Sequence, residues 1–181
     1  MRMHNLLRRE SIAIAAAMSC ILTAADPIRS NATDMNVIAV SGIVTGNVQQ
    51  VGFRAMIQKE AIRFNLAGSA ENESDKSVRF ILQGVKDQVD DALEAIRKGT
   101  KKSSDVSVSV SPAQVDSNLK TFTAVGWTSV SRHISHPYNL VFDLRRDNTT
   151  IDKDEAKAVW LDICRNTVKG EDTGKCDKSG D

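Results

Sequence analysis

Two stretches of opposite periodicity meet across a nine-residue junction, Gly46 to Arg54, and that junction restricts the fold more than any other part of the chain. Val37-Ile38-Ala39-Val40-Ser41-Gly42-Ile43-Val44 is dense in β-branched side chains, which are stiff at χ1 and suit a pleated strand. From Ala55 to Asn65 the apolar residues Met56, Ile57, Ala61, Ile62 and Phe64 recur at helical spacing, with Gln58, Lys59, Glu60 and Arg63 as the wet face. The junction reads Gly46-Asn47-Val48-Gln49-Gln50-Val51-Gly52-Phe53-Arg54. A strand-loop-helix turn of this kind aims successive backbone N–H groups and the positive end of the helix at one point in space. Arg54 adds a planar fork of donors that fits two phosphate oxygens and keeps its charge near neutral pH. Glycines between a strand and a helix are common, and an Arg at a helix start is commonly solvated. Spacing alone therefore leaves a phosphate site and an ordinary α/β turn both open.

Downstream, a short strand near Ala67 to Asn72, a turn at Glu73-Ser74-Asp75-Lys76 and a strand at Ser77 to Leu82 ending at Gly84 read as a hairpin. A second helix runs from Lys86 to Lys98, with Val89, Ala92, Leu93 and Ile96 inward and Gly99 as its stop. Its acidic residues come early and its basic ones late, which suits the helix dipole. Val106, Val108 and Val110 alternate with Ser as a strand, and Pro112 marks it as an edge. Phe122 to Val130 gives a fifth strand. This order predicts an α+β fold, the split β-α-β sandwich of ferredoxin-like domains, with two helices on one face of an antiparallel sheet.

The loop Gly46-x-Val48-Gln49-x-Val51-Gly52-Phe53-Arg54 resembles the signature of the acylphosphatase family, and the element order over residues 37–131 is similar to that family's domain. The resemblance implies hydrolysis of a carboxyl phosphate, with neither metal nor cofactor. The N–H groups of Asn47, Val48, Gln49, Gln50 and Val51 would cradle the phosphate, Arg54 would clamp two of its oxygens, and Asn72 would orient the attacking water. Two residues depart from the family's pattern. Gln50 and Lys76 stand where the family usually has Gly, and a left-handed backbone at Gln50 would cost about 1 kcal/mol. The alternative is thus a non-catalytic anion-binding or protein-interaction module with a degenerate loop.

Ahead of this domain, Arg2, Arg8 and Arg9 precede the apolar run Ser11 to Leu22 and the small residues Thr23-Ala24-Ala25, the layout of an export signal. The run is too short to span a bilayer. Cleavage after Ala25 would leave 26–36 as a leader and take the formal net charge from +1 to −1. The expected location is periplasmic or secreted, without a membrane anchor. A lipoprotein attached at Cys20 is the minor reading, because Ala17 stands where a larger aliphatic residue is expected. Loss of Cys20 leaves Cys164 and Cys176, an even pair that an oxidising compartment would join, set against two unrelated thiols.

A formal charge of +1 with 4% aromatic residues supplies no basic stripe with interleaved rings, so nucleic acid is not an expected partner. With 3 His and no clustered Cys or acidic spacing, no metal site is expected either, and no G-x-S-x-G elbow marks a serine nucleophile. Residues 132–181 fall outside the resemblance. His133, His136, Pro137 and Tyr138 form a connector, Leu140 to Leu144 alternates as a strand, and Asp152 to Lys169 reads as a helix before a polar tail. Its stripe of Ala156, Val159, Trp160 and Ile163 either packs on the sheet, lies over the site, or offers a protein partner its contact surface.

Overall fold

The structure, a computed structural model, describes residues 36–127, 137–168 and 176–177. The export signal with Cys20, the leader 26–35, the connector His133 and His136, the strand end at Val130 and most of the polar tail lie outside them. In chain order the elements are β1 (Val37–Asn47), α1 (Phe53–Phe64), β2 (Ala67–Asn72), β3 (Val78–Val85), α2 (Lys86–Lys98), β4 (Ser104–Ala113), β5 (Thr121–Trp127), β6 (Tyr138–Asp143) and α3 (Lys153–Thr167). Among the described residues no helix is long and apolar enough to cross a membrane.

All six strands join one sheet in the order β4-β1-β3-β2-β5-β6. The first four give the ferredoxin-like antiparallel core, in which Gly42 lies opposite Phe80 and Ala70 opposite Phe80 from the other side. The sheet as a whole is mixed, which corrects the expectation of an antiparallel one: β2 and β5 pair in parallel through Gly68, Ser69 and Ala70 against Phe122, Thr123 and Ala124. The reason is topological. β4 runs opposite to β1 and therefore opposite to β2, so a chain leaving β4 and crossing that end of the sheet must return along β2's own direction. Residues 114–120 make this crossing over three intervening strands, about 19 Å at the usual strand spacing, within reach of seven residues even with the turn closed by the Leu119 N–H on Asp116 O at 3.1 Å. Buried Gln83 pins the crossing from below. Its Nε2 donates to Asp116 O at 2.8 Å, and its Oε1 accepts from the Asp116 N–H at 2.7 Å.

Val44, Val78, Phe80, Leu82, Phe122 and Leu140 point to one face and are fully buried against Ile57, Ile62, Ala92 and Ile96 of the helices. The opposite face is wet, with Ile43, Ile81 and Val141 exposed. At Gly42 a β-carbon would stand 2.2 Å from the Phe80 ring, so the close approach of ring and backbone needs glycine there.

The C-terminal elements extend this layer. β6 pairs antiparallel with β5, and α3 packs beside α1, which settles where the apolar stripe goes. Trp160 is fully buried and meets Trp127 edge-on at 6.3 Å, so it is core and not a surface for a partner. Its Nε1 donates to Gln58 Oε1 at 3.1 Å, while Gln58 Nε2 donates to Leu140 O at 2.6 Å. The C-terminus of α1 is closed by the same segment: Asn65 exchanges two side-chain bonds with the Arg145 backbone, and Arg145 Nη1 donates to Ile62 O at 2.9 Å. A cation at that end also suits the helix dipole.

Cys164 and Cys176 are joined by a disulfide, with Cα atoms 5.9 Å apart and both residues buried. Closing a loop of this length removes unfolded-state entropy equivalent to about 3 kcal/mol. The double substitution Cys164→Ser, Cys176→Ser is expected to lower unfolding free energy by about that amount in a urea melt. A change under about 0.5 kcal/mol would contradict a structural role.

Candidate active site

One end of the sheet collects the three parts of the candidate site. β1 ends at Asn47, which pairs with Ser104, and Val48 turns its side chain into the core at 1% exposure. The Val48 N–H donates to Gly46 O at 3.0 Å, so this amide is already engaged. The backbone N–H groups of Gln49 to Arg54 make no hydrogen bond to a protein acceptor among the described residues. Open donors therefore run from Gln49 through Gln50 and Val51 into the first turn of α1. Gly52 caps that helix in the left-handed region at φ 77° with no side-chain cap, leaving the helix N-terminus electropositive and bare.

Arg54 leaves this turn on the inner side of α1 and reaches β5. Its Nη1 donates to Val125 O at 2.5 Å, while Nε and Nη2 have no protein acceptor among the described residues. Burial draws the guanidinium down from its ordinary pKa, and the nearby Glu71 carboxylate pushes it back up. At any pH near neutral it stays charged. Phe53, next to it, is core at 2% exposure.

Asn72 is the last residue of β2 and shares the helix-bearing face with its cross-strand partner Val78. The parallel pairing with β5 ends at Ala70 and Ala124, two residues before Asn72 and one residue before the Val125 carbonyl that holds Arg54, so both lie past the same end of that pairing. The Asn72 side chain is half-buried and has no protein partner among the described residues, so its donor and acceptor are open to water. Loop and hairpin are tied together by Gln49, whose Nε2 donates to Glu73 O and to Ser77 O, each at 2.8 Å. Sequence reasoning assigned Gln49 a backbone role only. Its side-chain partners lie 24 and 28 positions downstream, where no local pattern points to them.

Both departures from the family's pattern occupy left-handed backbone: Gln50 at φ 61° and Lys76 at φ 72°. The Lys76 turn is nonetheless well bonded, with the Lys76 N–H on Glu73 O at 3.2 Å and Asp75 Oδ1 accepting from the Ser77 N–H at 2.9 Å. Ser77 Oγ adds a second donor to Asp75, which holds that carboxyl below its ordinary range.

Among the described residues no group of three His, Cys, Asp or Glu is placed to hold a metal ion. A groove of about 400 Å³ runs along the outer face of α1 between Thr100 and Lys153, floored by Met56. Neither Arg54 nor Asn72 lines it: Arg54 reaches away to the Val125 carbonyl of β5, and Asn72 stands on β2.

A sequence model described as acylphosphatase matches residues 40–124. The acylphosphatase of Koribacter versatilis is 34% identical over 84 residues, which cover 46% of this chain and 76% of that protein. The one from Chlorobaculum tepidum is 38% identical over 80 residues, covering 44% of this chain and 87% of the relative. The crystal structure of acylphosphatase from Bacillus subtilis aligns at 31% identity and a TM-score of 0.45, covering 48% of this chain and 96% of that one. The sequence model begins in β1 and stops within β5, so β6 and α3 lie beyond it.

Proposed function

Because the chain belongs to the acylphosphatase family, we propose that it hydrolyses an acyl phosphate to carboxylate and phosphate without a metal ion. The observation that carries this is that one sheet end holds a charged Arg54, a run of open N–H groups and the Asn72 amide, with Arg54 Nε and Nη2 and that amide lacking protein partners among the described residues. The substrate is a mixed anhydride whose carboxylate is a good leaving group. Water attacks phosphorus in line, the bond from phosphorus to the acyl oxygen breaks, and the carboxylate departs. The transition state is loose and needs mainly positioning and fixed positive dipoles. Gln49, Gln50, Val51 and the N-terminus of α1 supply the dipoles, Arg54 the charge. Asn72, being neutral, aims the water without repelling the phosphate. The test is hydrolysis of benzoyl phosphate with chelator present, by wild type and Asn72→Ala. Turnover in wild type that survives unchanged in Asn72→Ala would remove Asn72 from the mechanism.

The alternative, an anion-binding or interaction module with a degenerate loop, is favoured by one observation, the left-handed Gln50. A side chain there costs about 1 kcal/mol and can crowd the anion. Gln50→Gly is therefore expected to raise unfolding free energy by up to about 1 kcal/mol and to increase turnover. If it does neither, Gln50 is no defect.

The proposal includes export. Its support is the charged, apolar and small-residue layout of residues 1–25, together with a disulfide of the kind that persists in oxidising compartments. N-terminal sequencing of protein taken from its host should begin at Asp26. An intact Met1 would overturn this part.

A further inference from the structure

We propose that Asn139, on β6 and beyond the segment matched to the family, is a positioning residue for Arg54, acting through the peptide that joins Val125 to Gly126. The inference rests on the hydrolase reading for its kinetic consequence, though not for its geometry.

The register between β5 and β6 slips at one place. Ala124 faces Leu140 and Trp127 faces Tyr138, so Val125 and Gly126 together stand opposite Asn139 alone. That is a bulge of two residues against one, and the extra residue loses its place in the ladder. Gly126 adopts φ 61° there, a conformation that glycine takes at no steric cost. Its N–H is satisfied by a side chain: it donates to Asn139 Oδ1 at 3.0 Å.

The N–H of Gly126 and the carbonyl of Val125 belong to the same planar peptide and point in opposite directions. Asn139 holds one side of that plane and Arg54 Nη1 lies on the other, 2.5 Å from the oxygen. Rotation of the plane would swing the carbonyl off the guanidinium. A glycine in the left-handed region offers little resistance to such rotation, so the side-chain bond is what fixes the carbonyl's aim. Arg54 depends on that aim because Nη1 has no other protein acceptor among the described residues. The strand that carries Asn139 is itself anchored by the buried bond from Gln58 to Leu140 O, one residue further on. An appendage that brings no group to the phosphate thus completes the site by holding its clamp.

The test compares Asn139→Ala, Asn139→Asp and, as a control on the same strand, Asp143→Ala in the full chain. The readouts are affinity for inorganic phosphate, kcat and KM on benzoyl phosphate, and the NMR resonances of the Gly126 amide and the Arg54 Nε–H. Asn139→Ala is expected to weaken phosphate binding about tenfold, the scale of one lost hydrogen bond, and to move both resonances. Asn139→Asp keeps an acceptor and should retain both resonances near their wild-type positions, and Asp143→Ala should change nothing. Unmoved resonances with unchanged phosphate affinity in Asn139→Ala would overturn the proposal, as would equal losses in Asp143→Ala. If the wild type neither binds phosphate nor turns over, the hydrolase reading fails by itself. The Arg54 resonance needs no ligand and still decides whether Asn139 positions the guanidinium.

Discussion

Replacing Arg54 with Ala is expected to lower kcat/KM on benzoyl phosphate by about a thousandfold or more while leaving the fold nearly as stable as before. The two effects separate because, among the described residues, the side chain has one protein partner, the Val125 carbonyl, and two open donor nitrogens. Losing the bond to Val125 costs stability on the order of 1 kcal/mol. Losing the charge removes the guanidinium that, alone among the described residues of the candidate site, can take two phosphate oxygens in one plane. Half-burial raises the effect, since a desolvated cation acts through a lower dielectric than a solvated one. Arg54→Lys keeps the charge but lacks the fork. Its three donors radiate from a single nitrogen and do not reproduce the planar spacing by which the guanidinium meets Val125 O on one nitrogen and phosphate oxygens on the other two, so it should recover only part of the rate. A loss smaller than tenfold in Arg54→Ala, measured on protein whose melting temperature has fallen by no more than about 4 °C, would mean that phosphate is held elsewhere.

Trp160→Ala should be the most destabilising single change in the C-terminal segment, by about 4 kcal/mol and therefore roughly 10 °C in melting temperature. The ring is fully buried, packs edge-on against Trp127, and carries Lys59 Nζ 4.9 Å from its centroid. Its removal leaves a cavity at the junction of α1, α3 and β5. It also strands Gln58 Oε1, a buried acceptor whose donor was Trp160 Nε1. Trp160→Phe separates the two terms. It refills most of the volume and leaves the acceptor unpaired, at an expected cost of about 1 to 3 kcal/mol. Should Trp160→Ala cost under about 1 kcal/mol, β6 and α3 would be an appendage whose packing the domain does not need, and a role for them at Arg54 would lose its structural basis.

The loop from Gly46 to Arg54 was legible because its signals are local. Strand and helix periodicities change across it, and glycines mark where the change occurs. α2 was legible over its whole length from Lys86 to Lys98, because Val89, Ala92, Leu93 and Ile96 fall on one face and Gly99 stops the helix. The start of α1 was less so. The structure begins it at Phe53, two residues before the periodicity does, since Gly52 caps it through backbone conformation and offers no side-chain signal. The hairpin of β2 and β3 was legible, yet the Gln49 side chain that ties it to the loop was not.

By itself the sequence determined the kinds of element, their order, the strand-to-helix turn from Gly46 to Arg54, and the family to which that turn belongs. These follow from side-chain shape and spacing within a few residues, which act before any long-range contact forms. Only the tertiary structure decided that β5 runs parallel to β2, that Trp160 faces inward, and that Arg54 is held by a carbonyl 71 positions away. Each of these depends on which strand edge or buried acceptor is left unsatisfied once the other elements have packed, and no local pattern encodes that.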